Sequence, residues 1–268
     1  MLRQGMTSSL EAEVWYFPDE GDEAQAHYLE GPINQKATTL KSKYFFRPAK
    51  LSGNQAWKVI IPEPCLWSMQ SPALYALNGE EPRIGLRDLR TRGESFYQED
   101  RRWVVRAASS TSRNQEDRLA SGLIPIHRQV DLPHVEACHR LGQPLILWPT
   151  ANRPINLDQL SRYAAVSLVV LPWDTSPEVT AQAHSHLLLG ADVGPGVSVP
   201  TWAKFVVVSE ALIRGGWQPD RRLPVVVTRQ YENDEMSGQE MRAQCDVFQA
   251  SLDRGAEFAG LWLVCEYF

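Results

Sequence analysis

The sequence predicts an immunoglobulin-like β-sandwich followed by a compact (β/α)8 barrel of the TIM type. Three observations carry this expectation. Short segments alternating apolar and polar residues fill residues 10–89. Eight continuous apolar runs follow from Trp103 onward, and helix-patterned stretches lie between several of them. The expected division is residues 1–95 for the sandwich and 96–268 for the barrel. With 268 residues, 43% hydrophobic and 22% charged, the chain can bury substantial cores and is too apolar to stay disordered.

The sandwich elements come in order. LEAEVWYF (10–17) alternates apolar and polar residues, and PDEGDE is a turn. AQAHYLEG, TTLKSKYFFR, QAWKVIIP and PRIGLRDLR are the further strands. Short strands at this spacing, without helical period, fit a sandwich of about a hundred residues.

The barrel strands are WVVRA, LIPIHR, PLILWP, SLVVLP, HLLLG, KFVVV, PVVVT and AGLWLV. Their apolar residues are continuous, as in parallel strands buried on both faces. RNQEDRLAS, LPHVEACHRLG, NLDQLSRYAA and MSGQEMRAQCDVFQASLDRG carry helical patterns. Gly142 and Pro144 stop the second, and Asn156 caps the third. Eight such β units make a barrel. An open doubly wound sheet is the alternative, but no glycine fingerprint follows the first strand. The segment ADVGPGVSVPTWA, between the fifth and sixth strands, has no helical pattern.

Composition restricts function. A net charge of −5 argues against nucleic-acid or anionic-membrane surfaces, which need a basic stripe. No apolar run reaches membrane-spanning length, and MLRQGMTSSLEAEVWYF has no apolar signal core. A cytoplasmic location is expected. Cys65, Cys138, Cys245 and Cys265 form no CxxC pair, so reduced buried thiols are expected. His184 and His186 are two apart and could share a metal with Asp192, but no spacing supplies the remaining ligands. No metal and no cofactor are expected. Nine tryptophans serve either as core filler or as stacking platforms.

LWSMQSPALYAL (66–77) and IGLRDLRTRGESFYQEDRRWVVRAA (84–108) resemble glycoside hydrolase family 2, the β-galactosidase, β-glucuronidase and β-mannosidase group. DRLASGLIPIHRQVDLPHVEACHRLGQPLILW (117–148) continues the resemblance, which runs from about Leu10 to the C-terminus. It implies a sandwich, then a barrel whose sugar pocket opens at the strands' C-terminal ends. His127 falls where the family places a pocket arginine, with Arg128 next door. The family's N-terminal sugar-binding jelly roll has no counterpart in this sequence, leaving open whether a partner chain supplies it.

The same resemblance raises a chemical conflict. Retaining glycosidases need two carboxylates about 5–5.5 Å apart, a protonated acid and an ionised nucleophile. The family supplies Asn-Glu after the fourth barrel strand and Glu after the seventh. Here the fourth is followed by Trp173–Asp174, and the seventh, LPVVVTRQYEN, puts Gln230 at the nucleophile position beside Tyr231. An amide can hydrogen-bond a sugar but cannot act as a carboxylate nucleophile. Glu178 is a second candidate acid but suits a helix start better, and Ser209–Glu210 after the sixth strand could enter the cleft or equally start a helix.

Two expectations follow. One is a non-catalytic carbohydrate-binding or scaffold homologue, with Arg106, His127, Trp173, Gln230, Tyr231 and Trp262 at the barrel mouth. For Trp262, barrel filler is the competing role. The other is an active β-glycoside hydrolase with displaced carboxylates, Asp174 as acid and Glu232 or Glu235 as nucleophile. The expected partners are a carbohydrate and either a second copy or a protein partner. A third expectation is a mouth filled by side chains that binds nothing.

Overall fold

The computed structural model describes residues 1–18, 27–34, 36–51, 54–109, 114–149, 155–184, 186–231, 236–253 and 257–265. The N-terminal part holds eight strands: β1 (Leu2–Thr7), β2 (Glu11–Tyr16), β3 (Tyr28–Ile33), β4 (Ser42–Phe45), β5 (Arg47–Leu51), β6 (Asn54–Pro62), β7 (Leu74–Leu77) and β8 (Glu80–Gly85). They form two antiparallel sheets, ordered β1-β2-β6-β5 and β4-β3-β7-β8. The first has the A-B-E-D order of an immunoglobulin sandwich, and the second has C-F-G with β4 added at the C edge. Val14, Ile61, Leu29, Tyr75 and Ile84, drawn from both sheets, meet in one core. The Tyr75 hydroxyl accepts the Cys65 backbone N–H at 2.9 Å, tying the start of β7 to the chain upstream.

Three of these strands escape the alternating pattern for physical reasons. All four residues of β7 are buried, so LYAL shows no period. In β1 the inward position after Leu2 is Gln4, a polar residue that reads as surface. Its buried amide donates to Arg87 O at 2.6 Å and accepts from Arg87 N at 3.2 Å, so the fold satisfies it. TTLKSKYFFR was expected as one strand. The chain instead changes sheet at buried Phe46, ending β4 and starting β5.

A meander of β9 (Leu89–Arg92), β10 (Ser95–Gln98) and β11 (Arg101–Trp103) comes next, and the division expected at 95/96 falls inside β10. It packs Leu89 and Phe96 into the barrel interior, with the Phe96 and Phe205 centroids 5.3 Å apart.

The barrel is closed and parallel, ordered from β12 to β19 in sequence: β12 (Val105–Ser109), β13 (Ile124–His127), β14 (Leu145–Leu147), β15 (Val166–Pro172), β16 (Leu188–Asp192), β17 (Phe205–Ser209), β18 (Val225–Tyr231) and β19 (Gly260–Cys265). Pairing of β19 with both β12 and β18 completes the ring. These are the eight apolar runs, in order. Every second residue points inward, where Val105, Ile126, Leu168, Val207 and Trp262 share one cluster. The residues between them face an outer shell. Gly190 is required in this interior, because a Cβ there would lie 2.2 Å from the Phe205 ring.

The helical shell is thin: α1 (Gln115–Ala120), α2 (Leu132–Leu141), α3 (Leu157–Leu160), α4 (Pro177–Thr180), α5 (Glu210–Arg214) and α6 (Gly238–Ser251). Asn156 caps α3, accepting from Gln159 N at 2.9 Å, and Gly142 ends α2 at φ 76°. Ser237 and Glu240 form a reciprocal capping box on α6. No helix occupies the described residues 193–204; there Val199, Ala203 and Trp202 cover Val206 and Val208 directly. The sheets and barrel are joined by buried bonds. Trp67 Nε1 donates to His139 O at 2.8 Å, and Arg87 Nη1 donates to Ala164 O and Ser167 Oγ.

Candidate functional site

In a closed parallel barrel, function collects at the strands' C-terminal ends. Alternation fixes which side chains arrive there. After Ile124 and Ile126 the next inward position is Arg128; after Leu188 and Gly190 it is Asp192; after Val226 come Thr228 and Gln230. Trp148, Ser209 and Val264 complete the ring. Together these residues line a cleft of about 1130 Å³. Its floor is apolar, with Trp148 and Val264 nearly buried above Trp262. Its wall is polar.

Arg128 lies flat on Trp148, the guanidinium carbon 4.3 Å from the ring centroid. Asp192 is exposed to the cleft. Desolvation by the protein around it still raises its carboxyl pKa, with Arg128 and a hydrogen bond from Trp148 acting the other way. Burial likewise lowers the Arg128 pKa, opposed by Asp192. Ser209 caps α5 by accepting from Leu212 N, and Thr228 Oγ1 donates to Val208 O at 3.3 Å. Gln230 is exposed in the cleft, free to donate and accept.

The cleft's other acid is already committed. Arg229 holds Glu210 through Nε at 2.6 Å and Nη2 at 2.8 Å, and Arg214 adds bonds at 2.8 and 2.7 Å. The Arg229 hydrogen bonds are the largest influence holding the Glu210 carboxyl below its ordinary pKa, against the effect of burial. Arg229 itself stacks on Phe248 of α6, so this network clamps α5 to α6.

Several expected mouth residues lie elsewhere. Arg106 points outward, donating to Gln249 Oε1 at 2.8 Å and pairing with Asp246 of α6 at 3.3 Å. His127 is an outward position on β13, its ring 5.2 Å from that of His134 on α2. Burial pulls its pKa down to about 4, with His134 adding to the effect. Tyr231 packs with Met241, Cys245 and Phe248 in the outer shell. Trp262 is fully enclosed between Trp148 and Phe205, with centroids 6.1 and 6.4 Å away, and is barrel filler. For Arg106, His127 and Tyr231 a one-residue step along a strand decides the face, and for Trp262 its depth does.

Gln230 reaches the cleft. Trp173 and Asp174 sit in an exposed turn after β15, with Trp173 49% exposed. Glu232 and Glu235 lie outside the described residues. Glu178 is in the first turn of α4, the helix-start role read for it, while Ser209 and Glu210 both start α5 and line the cleft. His184 pairs with Asp158 at 2.7 Å and His186 with Ser161 O at 2.7 Å, so neither turns to Asp192. Among the described residues no group of three His, Cys, Asp or Glu side chains is arranged to hold a metal. Sequence inspection underrated Arg128, Trp148, Asp192 and Thr228; counting every second residue along each strand finds them once the strand pairing fixes which residues face inward.

No protein-family model and no curated protein sequence matches the chain. Solved structures do match in fold. A β-glucuronidase from an uncultured Clostridium sp. superposes with TM-score 0.63 at 10% identity, covering 98% of this chain and 60% of that one. The Ruminococcus gnavus β-glucuronidase in complex with D-glucuronic acid gives 0.60 at 10%, covering 98% and 59%. The β-D-glucuronidase of Dictyoglomus thermophilum gives 0.60 at 11%, covering 98% and 61%. The chain thus spans about three-fifths of the length of these proteins. At such identities the likeness is one of fold: a glycoside-hydrolase-like barrel with antiparallel sheets before it.

Proposed function

We propose that this protein is a non-hydrolytic, carbohydrate-binding relative of glycoside hydrolases, with its ligand in the cleft at the barrel mouth. One observation supports the reading: among the described residues, the two strand ends from which a glycosidase of this type draws its carboxylates offer none to the cleft. The fourth strand ends in Pro172 and the exposed Trp173–Asp174 turn, and the seventh delivers Gln230. Of the described carboxylates lining the cleft, Glu210 is consumed by two arginines and Asp192 remains. Acid and nucleophile, or acid and base, must be separate groups at a fixed spacing. What remains suits hydroxyl recognition. Asp192 accepts, Arg128 donates, Gln230 does both, and Thr228 and Ser209 add hydroxyls above an apolar floor.

The test pairs calorimetric titration against a panel of mono- and oligosaccharides with turnover of chromogenic β-glycosides. Binding that is lost in Asp192→Ala, with no turnover, is expected. Turnover abolished by Asp174→Ala would instead establish a hydrolase with displaced carboxylates. A panel that gives no heat would mean that the mouth binds no sugar.

A further inference from the structure

The cleft does not end at the barrel mouth. It continues over the C-terminal end of α5, where Gly216 and Trp217 line both the mouth cleft and a second recess of about 560 Å³. That recess reaches Phe258 and Leu223 on the barrel flank. The mouth alone is at or above the ~300–1,000 Å³ typical of sites enclosing a drug-sized molecule. The passage is roomy beside its glycines. A Cβ on Gly194, Gly196 or Gly216 would meet nothing within 4 Å, and Gly216 holds φ +84°. At the junction stands Trp217, half-buried, its backbone anchored by Trp217 N donating to Leu212 O at 3.1 Å.

The arginines along this path have partners, and in the recess the acids Glu94, Asp220, Asp253 and Glu257 outnumber Arg221 and Arg222. Arg214 and Arg229 are bound to Glu210, and Arg128 faces Asp192. In the recess Arg221 donates to the Pro200 and Ala203 carbonyls at 2.8 Å, and Arg222 pairs with Glu94 at 3.5 Å. At the mouth a ligand carboxylate would have to compete with Glu210 and Asp192 for their arginines, and in the recess it would meet an excess of acids. A neutral hydroxylated chain has no such competition.

Resting on the carbohydrate-binding reading, we infer that the ligand is a neutral, extended oligosaccharide. One end sits among Asp192, Arg128 and Gln230; a later unit lies on the Trp217 indole. A flat aromatic face is the usual platform for the apolar side of a ring.

The experiment is calorimetric titration with length series, monomer through pentamer, of neutral β-linked gluco-, manno- and xylo-oligosaccharides, plus the same chains ended by a uronic acid. One series should tighten by about tenfold or more between monomer and tetramer. Trp217→Leu keeps apolar packing in the flank cluster and removes the flat face. It should flatten the length dependence while sparing monomer affinity. The Trp217 indole N–H resonance, assigned by its loss in that variant, should shift with tetramer and not with monomer. Equal affinity at every length, a uniform loss in Trp217→Leu, an unmoved indole signal, or tighter binding of the uronic-acid chains would overturn this inference and leave the mouth site standing. Silence of every sugar with wild type would overturn both.

Discussion

Arg128 rests on Trp148 with its guanidinium carbon 4.3 Å from the ring centroid, and in that position it faces Asp192. The stack fixes a long side chain that would otherwise sample many rotamers, and a desolvated cation on an indole contributes up to about 2 kcal/mol. Lysine would not substitute, having no plane to stack. Arg128→Leu removes the charge that favours the ionised Asp192. The Asp192 carboxyl should then titrate at still higher pH, followed through its carbon chemical shift. An unchanged titration would show that the two groups do not interact.

Asp192→Asn should raise thermal stability at neutral pH. The sign follows from proton counting. Burial raises the folded-state pKa of Asp192 above its ordinary value of 3.8, so between those two values the folded state holds more protons than the unfolded one. Stability therefore falls as pH rises through that window and stays reduced above it. The asparagine variant escapes this loss, and its advantage should shrink to nothing below the ordinary carboxyl pKa. A melting-temperature series against pH decides it. Asp192 is partly open to solvent, so the gain should be modest.

Acid should unfold the protein between pH 6.5 and about 4. Burial pulls His127, His139 and His186 from 6.5 to about 4, so each is neutral when folded and takes a proton in the unfolded chain through that window. The stability they contribute is full above pH 6.5 and is lost as pH falls through 4. His139 sits between sheets and barrel, its Nδ1 accepting from Ala164 N at 3.0 Å and its ring stacked 6.3 Å from Trp67. His139→Asn keeps an acceptor for that N–H. It should flatten the acid limb by as much as ~3 kcal/mol at its lower end. An unaltered pH profile would assign the acid sensitivity elsewhere.

Much of this architecture was legible because each barrel strand needs to be apolar on both faces, which leaves runs such as SLVVLP and KFVVV in the sequence. The site was harder to read because that same continuity hides the face. Nothing in LIPIHR says whether His127 or Arg128 enters the mouth; the pairing of Ile126 with Ile146 inside the ring does. Trp262 illustrates the other difficulty. A tryptophan near a strand end can be a platform or a filler, and only its depth, one layer below Val264, separates them. In the sandwich, Gln4 concealed β1 because a satisfied buried amide has the sequence signature of a surface residue.

Gly190→Ala should destabilise the barrel by at least ~1–3 kcal/mol, the cost of overpacking a rigid core. The added methyl would lie 2.2 Å from the Phe205 ring, which is held between Phe96 and Trp262 and cannot swing away. Chemical denaturation of Gly190→Ala and of Gly190→Ala/Phe205→Leu checks the mechanism. The second substitution should recover part of the loss, a non-additivity expected only of residues in contact.

Gln230→Glu places a carboxylate where the seventh strand opens on the cleft, and it should still fail to hydrolyse β-glycosides. A nucleophile needs a proton donor on the other side of the scissile bond, about 5–5.5 Å from it in a retaining site. The fourth strand offers Asp174 only in an exposed turn, and that residue does not line the cleft. The new carboxylate also loses the donor half of the amide, so sugar binding should weaken in this variant while its fold is retained. The informative measurement is turnover of an activated aryl β-glycoside, whose leaving group needs little acid assistance. Slow, stoichiometric labelling of the introduced carboxylate would require only the nucleophile, so mass spectrometry of the Gln230→Glu protein after incubation separates two cases. Absence of both label and turnover fits a mouth built for binding. Multiple turnover would mean that a group able to activate water against the glycosyl-enzyme already stands there and that a single amide separates this protein from a hydrolase.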